Sequence, residues 1–171
     1  MKRAPRVRDR YERFASDYDD IFGERQRLKI TRLAQAVDSP MPHPVLDLGA
    51  GTGLLSKTLD VPVIAMDFSP AMLSRASGQR VLGDLSTLPF ADSVFGTVFS
   101  VSALIEMDDL RGPILEMLRV VKPGGWIALS VLKSEDLESV HRILTHDESL
   151  MYSRLDLGED IGFVFRKPES V

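Results

Sequence analysis

The residues of this chain whose types and spacing could do chemistry are three alternate glycines, Gly49, Gly51 and Gly53, with Asp47 before them and Asp67 after. The glycines lie in the run Val45 to Gly53, V-L-D-L-G-A-G-T-G. Such a run lets the backbone turn sharply and approach a bound molecule closely, and a helix that starts behind it points free N–H groups at that molecule. Asp67 follows Asp47 by twenty positions, about where a carboxylate must stand to accept both hydroxyls of a ribose. A dinucleotide cradle needs its third glycine three residues after the second, and Leu54 fills that position. The spacing predicts a ligand that has a ribose and no pyrophosphate. Leu54 and the lack of a Tyr-x-x-x-Lys pair also argue against a nicotinamide-dependent oxidoreductase.

A strand, a turn and a helix must position these groups. Val45, Leu46 and Leu48, interrupted only by Asp47, have the pattern of a central parallel strand covered on both faces. Further strands are predicted at 63–67, 79–82, 94–101 and 126–132. A short helix follows the glycines to Leu59. Ser69 suits the N-cap of a helix over 70–77, with Pro70 at its first position. Residues 110–121 are amphipathic, and Lys122-Pro123-Gly124-Gly125 has the order of a type II turn. Leu137, Val140 and Leu144 give 135–145 an apolar stripe, beside which His141 is a surface or packing residue. Residues 150–157 and 161–166 alternate around Gly158-Glu159-Asp160, an antiparallel hairpin closing the sheet. Ahead of the core, Tyr11, Phe14, Tyr18 and Ile21 fall at helical spacing within 8–22, with Gly23 as its end. Leu28, Ile30, Leu33, Ala34 and Val37 give a second helix, 24–37, a buried stripe, and a proline loop leads from it to the first strand.

Four ordered runs carry a family resemblance: V-L-D-L-G-A-G-T-G at 45–53, M-D-F-S-P-A-M-L-S-R-A at 66–76, G-D-L-S-T-L-P-F at 83–90 and L-R-V-V-K-P-G-G at 118–125. Together they resemble the class I S-adenosylmethionine-dependent methyltransferases, in the small-molecule, type 11-like branch, over roughly residues 10 to 167. The resemblance implies an α/β, Rossmann-like doubly wound sheet of seven mostly parallel strands in the order 3-2-1-4-5-7-6, the last strand antiparallel, with two N-terminal helices. It implies one domain over 1–171, with helices and loop over 1–43 and the core over 44–167. The implied cofactor is S-adenosyl-L-methionine, with contacts at Asp47, Gly49, Ala50, Gly51, Gly53, Asp67, Phe68, Met72, Asp84, Leu85 and Ser100. In the family pattern the acid at Asp84 accepts from the adenine amine, while Asp47 orients the glycine turn or reaches the amino group. The Tyr18-Asp19 pair is similar to one that family members carry on a helix over the pocket. Two departures stand out: Gly96 replaces a usual aspartate, and no histidine follows the fourth strand, where the chain reads Ala103 to Asp109.

Composition narrows the class further. The chain has 171 residues, 44% of them hydrophobic, which suits one domain with a sizeable core. It has no cysteine, which removes disulfides, thiolate metal sites and cysteine nucleophiles. His43, His141 and His146 lack metal-ligand spacing, so no metal is expected. No apolar run approaches membrane-spanning length, and the charged start has no apolar stretch behind it; a cytoplasmic protein without membrane insertion is expected. Residues 1–32 carry ten Lys/Arg against six Asp/Glu, so the front is basic although the whole chain is at −4.

Methyl transfer from a sulfonium needs alignment and water exclusion, and needs a base only if the acceptor must lose a proton. Glu106, Asp108 and Tyr18 are the candidates for that base. The expected acceptor is a small, partly apolar molecule offering an O, N or C nucleophile, over a pocket lined by 11–22 and 101–109. Phe14, Tyr18, Ile21, Ile105 and Met107 suit such a molecule. Ser100-Val101-Ser102-Ala103 stands where amide and adenine-amine methyltransferases carry an Asn/Asp-Pro-Pro-aromatic run. The alternatives are an RNA or protein acceptor, favoured by the basic segment Lys2 to Arg13, or a cofactor-binding subunit active only with a partner protein. A homodimer is compatible with either.

Overall fold

The computed structural model describes residues 4–105, 107–146 and 150–169. One sheet runs in the order β3-β2-β1-β4-β5-β7-β6. Its strands are β1 (Val45–Leu48), β2 (Val63–Asp67), β3 (Gln79–Leu82), β4 (Phe95–Val101), β5 (Val121–Leu132), β6 (Tyr152–Asp156) and β7 (Asp160–Arg166). β1 to β5 pair in parallel, and β7 runs antiparallel to both β5 and β6. The strands without a regular apolar–polar alternation, β1 and β4, are central and buried, whereas the polar β3 and β6 take the edges.

Alternation along each strand divides the core between two faces. Leu46, Leu48, Val98, Ile127, Leu129 and Phe163 pack toward α5 (Arg111–Val120) and α6 (Leu137–Thr145) through Ile114, Met117, Val140 and Leu144. Val45, Val63, Phe99, Ala128 and Val164 pack toward α2 (Tyr18–Gln35) and α3 (Leu54–Leu59) through Ile30, Leu33, Leu54 and Leu55. The helices α1 (Ala4–Phe14) and α4 (Pro70–Leu73) complete the order.

Four local expectations are corrected. Gly23 does not end a helix: it is buried inside α2, and the break falls earlier, where the Asp17 N–H bonds the Phe14 carbonyl at 3.0 Å. Tyr18 and Ile21 therefore belong to α2, because an interior glycine costs only about 1 kcal/mol and the packed face of this long helix offsets it. Leu28 leaves the predicted stripe at 55% exposed, and Lys29 turns inward at 4%. The helix expected over 70–77 is a single turn; Ser69 caps it as expected, accepting the Met72 N–H at 3.2 Å. Lys122 to Gly125 lie within β5 as an irregularity, where pairing with β4 jumps from Phe95↔Val121 to Thr97↔Trp126.

The Gly96 departure has a structural cause. A Cβ there would stand 2.6 Å from the Pro42 carbonyl carbon and 2.7 Å from the His43 oxygen, because the proline loop crosses the start of β4. Gly96→Ala is expected to destabilise the fold by about 1–3 kcal/mol through overpacking against backbone. An unchanged urea midpoint would contradict this.

Candidate functional site

The glycine turn leaves β1 at the carboxyl edge of the sheet, where open α/β sheets hold ligands. The Gly49 and Ala50 N–H groups both donate to the Met66 carbonyl, at 2.8 and 3.0 Å. Gly49 has φ +72°, and a Cβ on it would lie 2.2 Å from the Ala103 Cβ, so the turn and the segment after β4 touch only because this residue is glycine. The Gly51 N–H donates to Asp67 Oδ2 at 2.8 Å, and the Ser69 N–H donates to Asp67 Oδ1 at 2.8 Å. Asp67 thus ties the turn to the end of β2.

A cavity of about 320 Å³ opens along this edge. The structure brings Gly49, Gly51, Asp67, Phe68, Met72, Asp84 and Leu85 together on its wall, with Tyr18 and Asp108. Asp47 and Ala50 line an adjoining recess of about 30 Å³, which shares Tyr18, Gly49 and Gly51. Gly53 and Ser100 are on neither wall. Gly53 backs onto Ala76, and Ser100 is fully buried with a hydroxyl that meets no partner among the described residues. Glu106 lies outside the described residues. Asp84 is exposed; its Oδ1 accepts the Ser86 N–H at 2.8 Å, and it also accepts the Ser86 hydroxyl.

The far wall corrects the expected acceptor side. Ile105 and Met107 line it as expected, but Phe14 and Ile21 point outward at 44% and 49% exposed. Val7 and Tyr11 of α1 take their place, joined by Val101, Ser102 and Ala103. Carboxylates clamp the two N-terminal helices over the cavity. Glu12 of α1 accepts from the Ser69 hydroxyl at 2.8 Å, while Asp19 of α2 accepts from the Thr52 hydroxyl.

Burial, followed by the Asp67 charge, pushes the Asp47 carboxyl up to about 7. No described residue donates a hydrogen bond to it. The folded chain then holds a proton that the unfolded chain has lost, so this group makes stability fall as pH rises from about 4 to about 7. Asp47→Asn is expected to remove that slope, gaining on the parent protein by about 1.4 kcal/mol per pH unit across the window. Urea unfolding at several pH values checks it, and parallel profiles would contradict it. Asp67 is also raised, chiefly by burial, against hydrogen bonds from the Ser69, Gly51 and Phe68 N–H groups. Burial and the nearby Tyr11, Asp67 and Asp19 push the Tyr18 phenol well above its ordinary value. That shift favours the protonated phenol.

A buried polar cluster that the sequence analysis did not anticipate lies behind the cavity. Lys29 Nζ lies 2.7 Å from Asp160 Oδ1 and 3.1 Å from Ser102 Oγ. Asp160 Oδ2 accepts from the hydroxyls of Ser102 and Ser130, at 2.6 and 2.7 Å. The only available signal was a lysine at an inward helical position of α2. Among the described residues, no cluster of His, Cys, Asp or Glu could hold a metal ion, and no helix is long and apolar enough to cross a membrane.

Comparison with known proteins agrees with this geometry. The family described as "Methyltransferase domain" matches residues 46–129. Malonyl-[acyl-carrier protein] O-methyltransferase from Dechloromonas aromatica is 39% identical over 134 residues, 74% of this chain and 50% of the relative. Demethylmenaquinone methyltransferase from Renibacterium salmoninarum is 33% identical over 141 residues, 75% of this chain and 60% of the relative. The chain thus spans half to three-fifths of the length of these curated relatives. Magnesium protoporphyrin IX methyltransferase from Synechocystis, solved with bound S-adenosylmethionine, superposes with a TM-score of 0.76 at 16% identity, covering 98% of each chain. The chain belongs to the class I S-adenosylmethionine-dependent methyltransferase family.

The residues present fit the cofactor of that family. A Cβ on Gly51 would come 3.1 Å from the Met72 methyl, so the glycine leaves the cavity floor open. Asp67 retains acceptor capacity beyond the backbone N–H groups it already accepts, and Asp84 lines the same cavity.

Proposed function

We propose that this chain transfers a methyl group from S-adenosyl-L-methionine to an O, N or C nucleophile of a small, partly apolar acceptor. The observation that carries the reading is a single cavity joining the glycine turn, Asp67 and Asp84 on one wall to Val101, Ile105 and Met107 on another. In this reading the cofactor supplies an activated methyl on a sulfonium. Gly49 and Gly51 cradle the methionyl part, Asp67 accepts the ribose hydroxyls, Asp84 accepts from the adenine amine, and Phe68, Met72 and Leu85 flank the ring. Asp47 and Ala50 serve from the recess behind the turn. The apolar wall excludes water and aligns the acceptor, which contributes most of the acceleration for an in-line displacement. Asp108 is the candidate base that faces the cavity.

The two curated relatives are named for malonyl-[acyl-carrier protein] and demethylmenaquinone, which supports an acceptor with a small reacting group. A single domain over 1–171 working in the cytoplasm completes the proposal, with an RNA or protein acceptor, or a subunit that needs a partner protein, as the alternatives. The test is a methyl-transfer assay with labelled cofactor on fractionated host extract, before and after nuclease and protease treatment. Label that survives both in an organic-extractable product is expected. Label lost to nuclease would reassign the acceptor to RNA, and label lost to protease to a protein or a protein-borne group. Labelling that needs an added host protein would favour the partner-dependent subunit.

A further inference from the structure

The acceptor side of the cavity has one polar group whose hydrogen-bonding capacity can be counted. Ser102 lines the cavity directly after β4, in a left-handed conformation (φ +51°) that residues other than glycine seldom adopt. Its N–H is committed to Ser130 Oγ at 2.9 Å. Its hydroxyl proton has two acceptors in reach, Asp160 Oδ2 at 2.6 Å and Gln26 Oε1 at 3.4 Å. A hydroxyl has one proton, and the shorter bond to the ionised partner takes it. Lys29 Nζ then donates to the same oxygen at 3.1 Å. Counting the bonds among the described residues, one lone pair and no proton remain for the cavity.

The arrangement is held from behind. Lys29 and Asp160 are 2.7 Å apart with side chains 5% and 0% exposed, and the Ser130 hydroxyl also bonds Asp160. Turning the Ser102 proton toward the cavity would break its bond to a buried carboxylate. Its neighbours Val101, Ala103, Ile105 and Met107 are apolar, while the polar side chains of Tyr11, Tyr18 and Asp108 also line the cavity, so removing the Ser102 hydroxyl alone isolates its share. A lone pair in such a wall is satisfied by a donor, and a molecule without one leaves it unpaired.

We infer that Ser102 selects acceptors whose reacting group carries an O–H or N–H, and that Lys29 and Asp160 are positioning residues that act through it. The inference rests on the methyl-transfer reading and narrows its acceptor class to protonated heteroatoms, leaving out carbon nucleophiles and carboxylates. Two probes of nearly the same apolar shape test it, 1-naphthol and 1-methoxynaphthalene, of which only the first has a donor. Each is titrated into the protein saturated with S-adenosylhomocysteine. The parent protein should bind the naphthol about five- to tenfold more tightly. Ser102→Ala should bring the ratio close to one, and the charge-free pair Lys29→Met with Asp160→Leu should narrow it by freeing the hydroxyl proton. A purely structural role would weaken both probes together and leave the ratio alone. A ratio near one in the parent protein, a preference that persists in Ser102→Ala, or failure of both probes to bind would overturn the inference. Failure of S-adenosylhomocysteine itself to bind would overturn the methyl-transfer reading instead, and this inference with it.

Discussion

Lys29→Met is expected to lower folding stability by about 3–5 kcal/mol, the cost of leaving a buried charge without its partner. Asp160 is fully buried, and after the substitution the Ser102 and Ser130 hydroxyls would be its carboxylate's remaining hydrogen-bond partners among the described residues. A neighbouring ion pair provides the control. Arg25, about one turn before Lys29 on α2, and Glu159, next to Asp160, stand 2.8 Å apart at Nη1 and Oε1, but their side chains are 51% and 59% exposed. Water screens that pair, so Arg25→Met should cost no more than about 1 kcal/mol. Replacing both buried partners, Lys29→Met with Asp160→Leu, should recover most of the loss, because neither desolvated charge remains. Urea unfolding of the four proteins checks the ranking. A Lys29→Met variant as stable as Arg25→Met would show that the cluster does not hold α2 to the sheet.

Asp67→Ala should weaken S-adenosylhomocysteine binding by at least about 100-fold. Two charge-assisted hydrogen bonds to ribose hydroxyls are each worth ~1.5–3 kcal/mol, and every 1.4 kcal/mol is about tenfold in affinity. The same substitution also releases the Gly51 and Ser69 N–H groups, each held at 2.8 Å, so the turn loses the acceptor that shapes it. Asp67→Asn separates the two effects, since the amide oxygen can keep one backbone bond while the charge is lost. Circular dichroism must show a folded variant. An unchanged dissociation constant in a folded Asp67→Ala protein would reject the ribose role.

The glycine-turn side of the cavity is legible in the sequence and the opposite side is not, for a physical reason. A glycine turn, a strand that ends in aspartate and a Ser-Pro helix start are local devices, so Gly49, Gly51, Asp67 and Ser69 stand where their types require. The strand order followed from the family resemblance, and the placement of apolar runs in the centre followed from their lack of alternation. The acceptor wall depends on the angles at which α1 and α2 cross the sheet, which periodicity does not encode; Phe14 and Ile21 share the helical spacing of Tyr11 and Tyr18 yet face outward. Ser100 and Ser102 are equally polar in the sequence. Strand packing buries the first, and the backbone turn after β4 brings the second to the cavity. Lys29 violates the rule that lysines face solvent, and its reason lies in Asp160, 131 positions away.

The most direct test of the central claim is a calorimetric titration of the unmodified protein with S-adenosylhomocysteine. The expected result is saturable binding of one molecule per chain, abolished or strongly weakened by Asp67→Ala. No binding at a concentration of about 1 mM, by this ligand or by S-adenosylmethionine, would contradict the account.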